Sequence, residues 1–366
     1  MKWTLPCLCM WALLFVPLQS ARADETRPLE IYFLDMVGGA STLIVTPLGE
    51  SVLIDTGSLR PAHRDADRIL NACADAGLKH IDFLITTHFH SDHFGAVQEV
   101  SQRIPVKRFM DKGTYAPIGD GNSQRSKELY ALYELATKGN VTTIRAGDDI
   151  PLQNDPVVKI PRIRLHCVAA EKKVEGFDGN VDAPVEGIRM DRRDNSDNAR
   201  SIALLLTYGP FKFFAGSDIT QNVEHHLAHP VNRIGKVDLY QVSHHGLDQS
   251  NNPRLLGALN PTVAVAMNGP RKGIQPRTFR DLTALPGLQA LYQIHFNTQH
   301  EGRYNTSPRF IANRKDTPNR GRFIKASVRV KKGTFTVRIG PEGHEHPYRV
   351  QPAPPDRART SRPGIG

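Results

Sequence analysis

The chain has 366 residues, of which 39% are hydrophobic and 23% charged, and its formal net charge is +10 at pH 7. A length above 250 residues allows one large domain or a domain with additions. This composition is ordinary for a soluble globular protein and excludes neither an enzyme nor a binding module, so the class of function must come from motifs.

The N-terminus has the three parts of a secretory signal peptide: Lys2, a mostly apolar stretch over residues 5–18, and a small-residue site that ends at Ala23. We predict a signal peptide over residues 1–23 and export to the periplasm or outside the cell. The apolar stretch is shorter than the ~20 residues that a membrane span needs and contains two prolines, so we predict no membrane span.

Removing the signal peptide would lower the formal charge from +10 to +8, so the mature chain stays basic. This balance favours an anionic substrate or partner, such as nucleic acid, a phosphorylated polymer or an anionic envelope surface, and selects none of them. Two cysteines would remain, Cys73 and Cys167. An exported compartment would let them pair if the fold brought them together.

The first half of the chain predicts the order β, β, β, α, β. Residues 29–37, 41–45 and 51–54 have the pattern of strands, residues 62–76 have apolar positions at helical spacing, and residues 81–86 form a buried strand. Directly after this last strand comes the run THFHSDHFG. Layered α/β proteins commonly place their chemistry at the carboxyl ends of strands.

Two later strands run into polar loops in the same way. The strand at 211–215 leads into Gly-Ser-Asp218, and the strand at 237–242 leads into Ser-His-His-Gly. Further strands are predicted at 106–110, 157–168, 201–207 and 261–266. Helices are predicted at 95–104, 126–138 and 278–285, and another is expected to end near residue 227. We also predict a loop at 171–197 and two hairpin strands at 323–330 and 334–339.

This pattern predicts one main domain over residues 24–305. A C-terminal β-hairpin extension is expected over 306–345, followed by a disordered tail rich in proline and arginine over 346–366.

The run THFHSDHFG has the spacing of a metal site. His88 and His90 are two apart, so in an extended segment both rings point to one side and can hold one ion. If a helix begins at the next residues, Asp92 and His93 face a second ion beside the first. Imidazole mixed with carboxylate suits zinc best, with manganese or iron as alternatives.

Two such ions need further ligands, and the later strand ends offer Asp218 and either His244 or His245. Taken alone, Asp218 reads as a helix N-cap and the histidine pair as surface residues. Their position at strand ends, like that of the first cluster, favours a role as ligands. Asn198 and Ser201 are candidates to line the site, and the basic turn at 268–273 could present two cations to a phosphate.

Seven short motifs are spread over the first 250 residues: Leu34-Asp35, Gly38-Gly39-Ala40, 52–57, 87–95, 198–206, 216–218 and 243–246. Together they resemble the metallo-β-lactamase superfamily, above all the metal-hydrolase domain of competence-type DNA-uptake proteins and the related phosphorylcholine esterases. The resemblance extends to about residue 300. It implies an α/β fold, the four-layer αβ/βα sandwich, here with a small C-terminal β-hairpin added.

The resemblance also implies roles for single residues. These are His88 and His90 on the first metal, Asp92 and His93 on the second, Asp218 as the bridge, His244 as the last ligand of the second metal and His245 facing substrate. The buried Asp55 would orient ligands rather than bind metal. No histidine has a convincing place as third ligand of the first metal; His166 is the one candidate, and no local motif supports it.

The hypothesis for function is hydrolysis by a hydroxide held between two metal ions, with Asp92 and His245 as catalytic residues and His245 as proton donor to the leaving group. Phosphodiesters are the first choice of substrate. A lactonase or β-lactamase-like hydrolase on the same scaffold is the alternative. A non-catalytic binding module is the third reading, against which the intact metal cluster argues.

Overall fold

The structure is a computed structural model of the chain that describes residues 27–113, 115, 123–157, 159–183, 194–315 and 321–352. The predicted signal peptide lies outside the described residues, as does most of the predicted tail. Within these ranges, no helix is both long and apolar enough to cross a bilayer.

Eighteen strands and seven α-helices make up the described fold. The strands are β1 (Leu29–Phe33), β2 (Thr42–Val45), β3 (Ser51–Ile54), β4 (Ile81–Thr86), β5 (Val106–Asp111), β6 (Val141–Thr143), β7 (Asp149–Ile150), β8 (Ile163–Ala170), β9 (Lys173–Val174), β10 (Ala203–Tyr208), β11 (Phe211–Ala215), β12 (Leu239–Gln241), β13 (Val263–Ala266), β14 (Ala290–His295), β15 (Ile311–Asn313), β16 (Ile324–Arg329), β17 (Thr334–Ile339) and β18 (His346–Arg349). The helices are α1 (Arg64–Asp75), α2 (Ser91–Phe94), α3 (Val97–Arg103), α4 (Gln124–Thr137), α5 (Gln221–Ala228), α6 (Pro253–Leu259) and α7 (Pro276–Thr283).

The strands form two mixed sheets. The first has the order β18-β17-β16-β1-β2-β3-β4-β5-β6, and the second has the order β15-β14-β13-β12-β11-β10-β8-β7, with β9 beside β8. Strands β3 to β6 are parallel to one another, and so are strands β11 to β15. Within each parallel group the carboxyl ends of the strands therefore share one edge, where loops can bring distant side chains together.

The core has three apolar layers, because each sheet is buried on both faces. In β1, Ile31 and Phe33 point into the layer between the sheets, whereas Tyr32 points to the layer beneath α1, α3 and α4. A third layer lies under α5, α6 and α7. This is the α/β sandwich with outer helices that the motifs predicted.

The two cysteines lie in different layers. Cys73, on α1, belongs to the layer beneath that helix, and Cys167, on β8, to the layer between the sheets. Both are free and buried. The fold therefore keeps them from forming the disulfide that the sequence had left open.

The C-terminal segment is part of the sandwich rather than a separate extension. Strand β16 pairs with β1, so the predicted hairpin β16–β17 continues the first sheet, and β15 continues the second. The expectation of disorder from residue 346 onward is wrong for β18, which pairs with β17. Tyr348 holds this strand: its ring stacks on Phe335 at 5.3 Å, and its hydroxyl bonds the Tyr292 hydroxyl at 2.9 Å.

Candidate metal centre

The run THFHSDHFG joins β4 to α2. His90 keeps an extended backbone (φ −84°, ψ 143°) directly before the helix, and the rings of His88 and His90 lie 4.7 Å apart. Asp92 and His93 fall on the first turn of α2. This change from extended chain to helix brings His88, Asp92 and His93 into two groups of donor atoms, whereas His90 belongs to neither group.

Asp218 comes from the loop between β11 and α5. Its Oδ2 lies 3.2 Å from His93 Nε2, 4.0 Å from His88 Nε2, and 3.5 Å from Nε2 of both His244 and His245. The helix N-cap is Thr220, so capping does not account for Asp218. A carboxylate at the centre of four imidazoles has the position that a bridging ligand requires.

The preceding residue, Ser217, adopts a left-handed conformation (φ 50°). Its hydroxyl bonds the Thr87 hydroxyl at 2.7 Å, and its carbonyl accepts from the backbone N–H of His244 at 2.9 Å. These contacts link three ligand loops, so serine at this position is compatible with a central Asp218.

The structure reverses the expected roles of His244 and His245. His245 Nε2 lies 3.4 Å from Asp92 Oδ2 and 3.3 Å from His93 Nε2, and these three residues form one group of donor atoms with the spacing of a metal site. Both histidines have left-handed backbones, with φ of 51° and 55°. These rare conformations turn His245 inward beside Asp92, so His245, and not His244, belongs to the donor group of Asp92 and His93.

The Nδ1 atoms of the inner histidines are held by the protein. His93 Nδ1 donates to Asp55 Oδ2 at 2.8 Å, and His245 Nδ1 donates to the Met267 carbonyl at 3.1 Å. Asp55 is itself fixed by the N–H and hydroxyl of Thr87. Each Nε2 is thereby turned toward the site, which is the usual support of metal-binding histidines.

Gly39 permits the close approach of the β1–β2 loop to α2. A Cβ at this position would stand 2.5 Å from the Asp92 carbonyl oxygen, which accepts a hydrogen bond from Ala40 N at 3.0 Å. Only glycine leaves room for that contact. The glycine motif in the sequence therefore serves to position Asp92.

The carboxylates and imidazoles of the site shift one another's pKa values. Burial alone would raise the pKa of Asp218, but the imidazoles around it, His93 first, hold that pKa well below its usual range. Burial lowers the pKa of His93, but the carboxylates of Asp218 and Asp55 raise it well above its usual range. A divalent cation would replace the proton on His93, so metal affinity should fall as the pH is lowered.

The donor set fits divalent metal ions. Two groups of donors are spaced for an ion, one formed by His88, His93 and Asp218 and the other by Asp92, His93 and His245. His88 Nε2 is fully buried and has no hydrogen-bond partner among the described residues. A buried imidazole nitrogen without a partner is costly unless a ligand takes it. Nitrogen and carboxylate donors suit zinc, manganese or iron.

The structure also addresses the gap at the first metal. His166 is engaged on β8, where its ring nitrogens lie 2.7 Å from Asp149 Oδ1 and 2.7 Å from Glu175 Oε2, so it is not the third ligand. Asn198 lies at the site instead: its Nδ2 is 3.3 Å from His244 Nε2, and its buried Oδ1 has no partner among the described residues. The spacing of histidines could not have found a neutral amide.

We expect replacement of Asn198 by alanine to weaken binding of one of two metal ions at least ~10-fold, because it removes the unpartnered carbonyl oxygen. Asn198→Asp should restore affinity, since it keeps an oxygen donor. Titration with zinc against a chromophoric chelator measures both. The neighbouring Ser201→Ala is the control; equal losses from Ser201→Ala and Asn198→Ala would contradict a ligand role for Asn198.

Buried Glu224 on α5 holds the N-terminal end of α6. Its Oε2 accepts from the backbone N–H of Asn252 at 2.7 Å, and burial raises its pKa to about 7. Between the ordinary pKa and this value the folded protein binds a proton that the unfolded chain has released. Stability should therefore fall as the pH rises through that window.

We expect the wild type to lose about 3 kcal/mol of unfolding free energy between pH 5 and pH 8 through this group, and Glu224→Gln to remove most of that loss. Urea denaturation in the presence of EDTA at the two pH values measures the difference. The exposed Glu128→Gln on α4 is the control and should behave as wild type. An undiminished pH slope in Glu224→Gln would show that other groups cause it.

Together, a two-sheet sandwich and a buried His/Asp centre at its edge define a metallo-hydrolase scaffold. Residues 34–167 match the family described as the metallo-beta-lactamase superfamily, so the chain contains a domain of this superfamily, and the resemblance found in the motifs is confirmed.

Among curated proteins, the chain is similar to ComE operon protein 3 of Bacillus subtilis (strain 168), with 22% identity over 277 residues. The match covers 72% of this chain and 30% of that protein, so the chain spans less than a third of the relative's length.

Two solved structures illustrate the range of similar folds. Igni18, a metallo hydrolase from Ignicoccus hospitalis KIN4/I, is 14% identical with a TM-score of 0.40, and the match covers 72% of this chain and 94% of that one. CmlA, a diiron beta-hydroxylase from Streptomyces venezuelae, is 16% identical with a TM-score of 0.36, and the match covers 71% and 50%.

Proposed function

We propose that the protein is an exported, metal-dependent hydrolase of phosphodiesters. The observation that carries the proposal is the pair of donor groups that share His93, with the ammonium group of Lys272 beside Asp92 at their mouth. Divalent ions held by these two groups would supply the Lewis acidity and the activated water of phosphodiester hydrolysis. The predicted signal peptide and the basic charge of the chain support export and an anionic substrate.

We assign the candidate ligands to two ions. His88, His90 and Asn198 would hold the first ion and Asp92, His93 and His245 the second, with Asp218 shared. His244 keeps the Asn198 amide in place: burial lowers its pKa to about 4, so at neutral pH its Nε2 accepts the hydrogen bond from Asn198 Nδ2. Because His245 would hold the second ion in this proposal, it would not donate a proton to the leaving group.

Lys272 is the cation at the mouth of the site. Its ammonium group contacts Asp92 Oδ2, and its side chain is 38% exposed. Lysine next to a metal ligand is poised to contact a negatively charged substrate oxygen. This residue comes from the basic turn after β13 that the sequence had suggested for phosphate binding.

The proposal is tested by metal analysis of the purified protein, followed by assays on bis-para-nitrophenyl phosphate, single-stranded DNA and a β-lactam. We expect about two ions per chain and turnover of the phosphodiesters. Bound metal without phosphodiester turnover would refute the proposed substrate class. β-Lactam turnover in its place would establish the small-molecule alternative.

Lys272→Ala should lower kcat/KM for bis-para-nitrophenyl phosphate by about 10- to 100-fold, because one charge-assisted contact to substrate is lost. The variant should bind as much metal as the wild type, or bind it more tightly, because the Lys272 ammonium group no longer competes for Asp92. Lys272→Arg should retain most activity. The exposed neighbour Arg271→Ala is the control, and a loss of metal in Lys272→Ala would indicate a structural role instead.

A further inference from the structure

The edge of the sandwich that carries the metal centre also has a cavity lined by cations. This arginine cavity has a volume of about 460 Å³ and lies beside β15, where the last strands of both sheets meet. Its basic lining consists of Arg309, Arg314, Arg322, His344 and His346. Among the described residues that line the cavity there is no carboxylate, so positive charge is concentrated there.

Two of the three guanidinium groups have neutral partners. Arg309 lies over the Phe310 ring at 4.6 Å from its centroid, and Arg322 donates to the Ile339 carbonyl at 3.3 Å. Within the part of the chain that the structure describes, none of the three forms an ion pair with a carboxylate. Burial, then His344 and Arg309, lowers the pKa of His346, as expected next to uncompensated positive charge.

The register of the second sheet sets the distance from this cavity to the metal centre. Asn313, at the end of β15, stands opposite His295, at the end of β14, and β14, β13 and β12 are parallel neighbours. Their carboxyl ends therefore share the edge that carries His245. From β12 to β15 there are three strand spacings, or about 14 Å.

Cations follow this edge from one strand to the next. Lys272 comes after β13, Arg303 after β14 and Arg314 after β15. Lys272 contacts Asp92 of the metal centre, and the exposed Arg303 lies 3.7 Å from the exposed Glu301 and donates to the His300 carbonyl at 3.3 Å. The positive charge of the arginine cavity is thus connected to the mouth of the metal centre.

We propose that the arginine cavity binds a backbone phosphate of a single-stranded phosphodiester polymer whose scissile phosphate lies at the metal centre. The proposal rests on the function proposed above and extends it from a bond type to a substrate class. Guanidinium groups match the geometry of phosphate oxygens and read no base, so recognition would be independent of sequence. A distance of about 14 Å corresponds to about four nucleotides at the ~3.4 Å rise of a stacked strand.

The test compares two triple variants of the full chain. Arg309→Gln, Arg314→Gln and Arg322→Gln together remove the cavity's charge. Lys79→Gln, Lys138→Gln and Lys236→Gln together remove the same charge from exposed residues that precede strands β4, β6 and β12, at the opposite edge. Binding of fluorescein-labelled oligothymidylates of 2 and 12 nucleotides is measured by anisotropy on EDTA-treated protein, and turnover of bis-para-nitrophenyl phosphate on zinc-loaded protein.

We expect the arginine variant to bind the 12-mer at least ~10-fold more weakly and to lower the slope of log affinity against log salt by about 0.7, the value for one lost phosphate contact on a single strand. Binding of the 2-mer should change less than ~2-fold, and so should binding of the 12-mer to the lysine variant. Turnover of bis-para-nitrophenyl phosphate should be unchanged in both variants, which also shows that both are folded.

Equal weakening in the two variants, or equal effects on the 2-mer and the 12-mer, would overturn the proposal. The proposal would also be overturned if the arginine variant lost binding to phosphatidylglycerol vesicles but still bound the 12-mer as the wild type does. If bis-para-nitrophenyl phosphate is not hydrolysed but the expected binding pattern is found, the proposed function fails and the arginine cavity stands. If bis-para-nitrophenyl phosphate is hydrolysed but that binding pattern is not found, the proposed function stands and the arginine cavity fails as a binding site.

Discussion

Asp218→Asn is expected to lower the metal content from about two ions per chain to less than one and to reduce turnover by more than ~10³-fold. The reason is geometric: one oxygen of Asp218 lies within 4.0 Å of Nε2 of four histidines, so the same oxygen can face both donor groups. Loss of a shared ligand should exceed the 10- to 100-fold that is typical of losing a residue that only orients a ligand.

Metal analysis after gel filtration and steady-state turnover of a phosphodiester measure both effects. Asp75→Asn is the control, because Asp75 is a carboxylate away from the site that pairs with Lys325 and Arg338 on the outer side of the first sheet. A variant at Asp218 that keeps two ions would show that this residue does not bridge.

The second large effect concerns His245 and decides which member of the His-His pair is the ligand. His245→Ala should lose one of two ions and at least ~100-fold in turnover, because the imidazole leaves the donor group of Asp92 and His93. Asp92→Asn should lose the same ion. The double variant should therefore still bind one ion per chain, since both changes act on one site.

His244→Ala provides the comparison. Because His244 supports Asn198, it should weaken the other ion, and combining it with Asp92→Asn should leave no tightly bound ion. If His244→Ala with Asp92→Asn retained one ion while His245→Ala retained two, the assignment made from the sequence would be right and the present one wrong.

Much of the fold follows from local pattern. The strands predicted at residues 51–54, 81–86 and 211–215 have the bounds that the structure gives them, because buried apolar runs ended by polar loops are strong local signals. The helix predicted from residue 95 begins earlier, at Ser91, and is interrupted before Val97. There the glycine at position 95 packs against the backbone of the loop after β3, a contact that helical periodicity cannot reveal.

Strand β14 was not predicted, because two of its residues are polar and yet buried. Gln293 donates to Asn305 and accepts from the backbone of Thr306, and His295 bonds Asp35 at 2.7 Å. Partners far along the chain satisfy these groups. A local reading of hydrophobicity therefore misses a central strand whose polar side chains are paired only in the folded state.

The sequence by itself determined the superfamily, the ligand cluster at the end of β4, and the later strand ends that contribute Asp218 and the histidine pair. It did so because ligand spacing and buried strands are local properties of the chain. The tertiary structure alone decided that His245 joins the donor group of Asp92 and His93, that the Asn198 amide lies 3.3 Å from His244, and that an arginine cavity shares this edge. These depend on backbone conformations and on packing between residues up to hundreds of positions apart, which spacing along one chain does not encode.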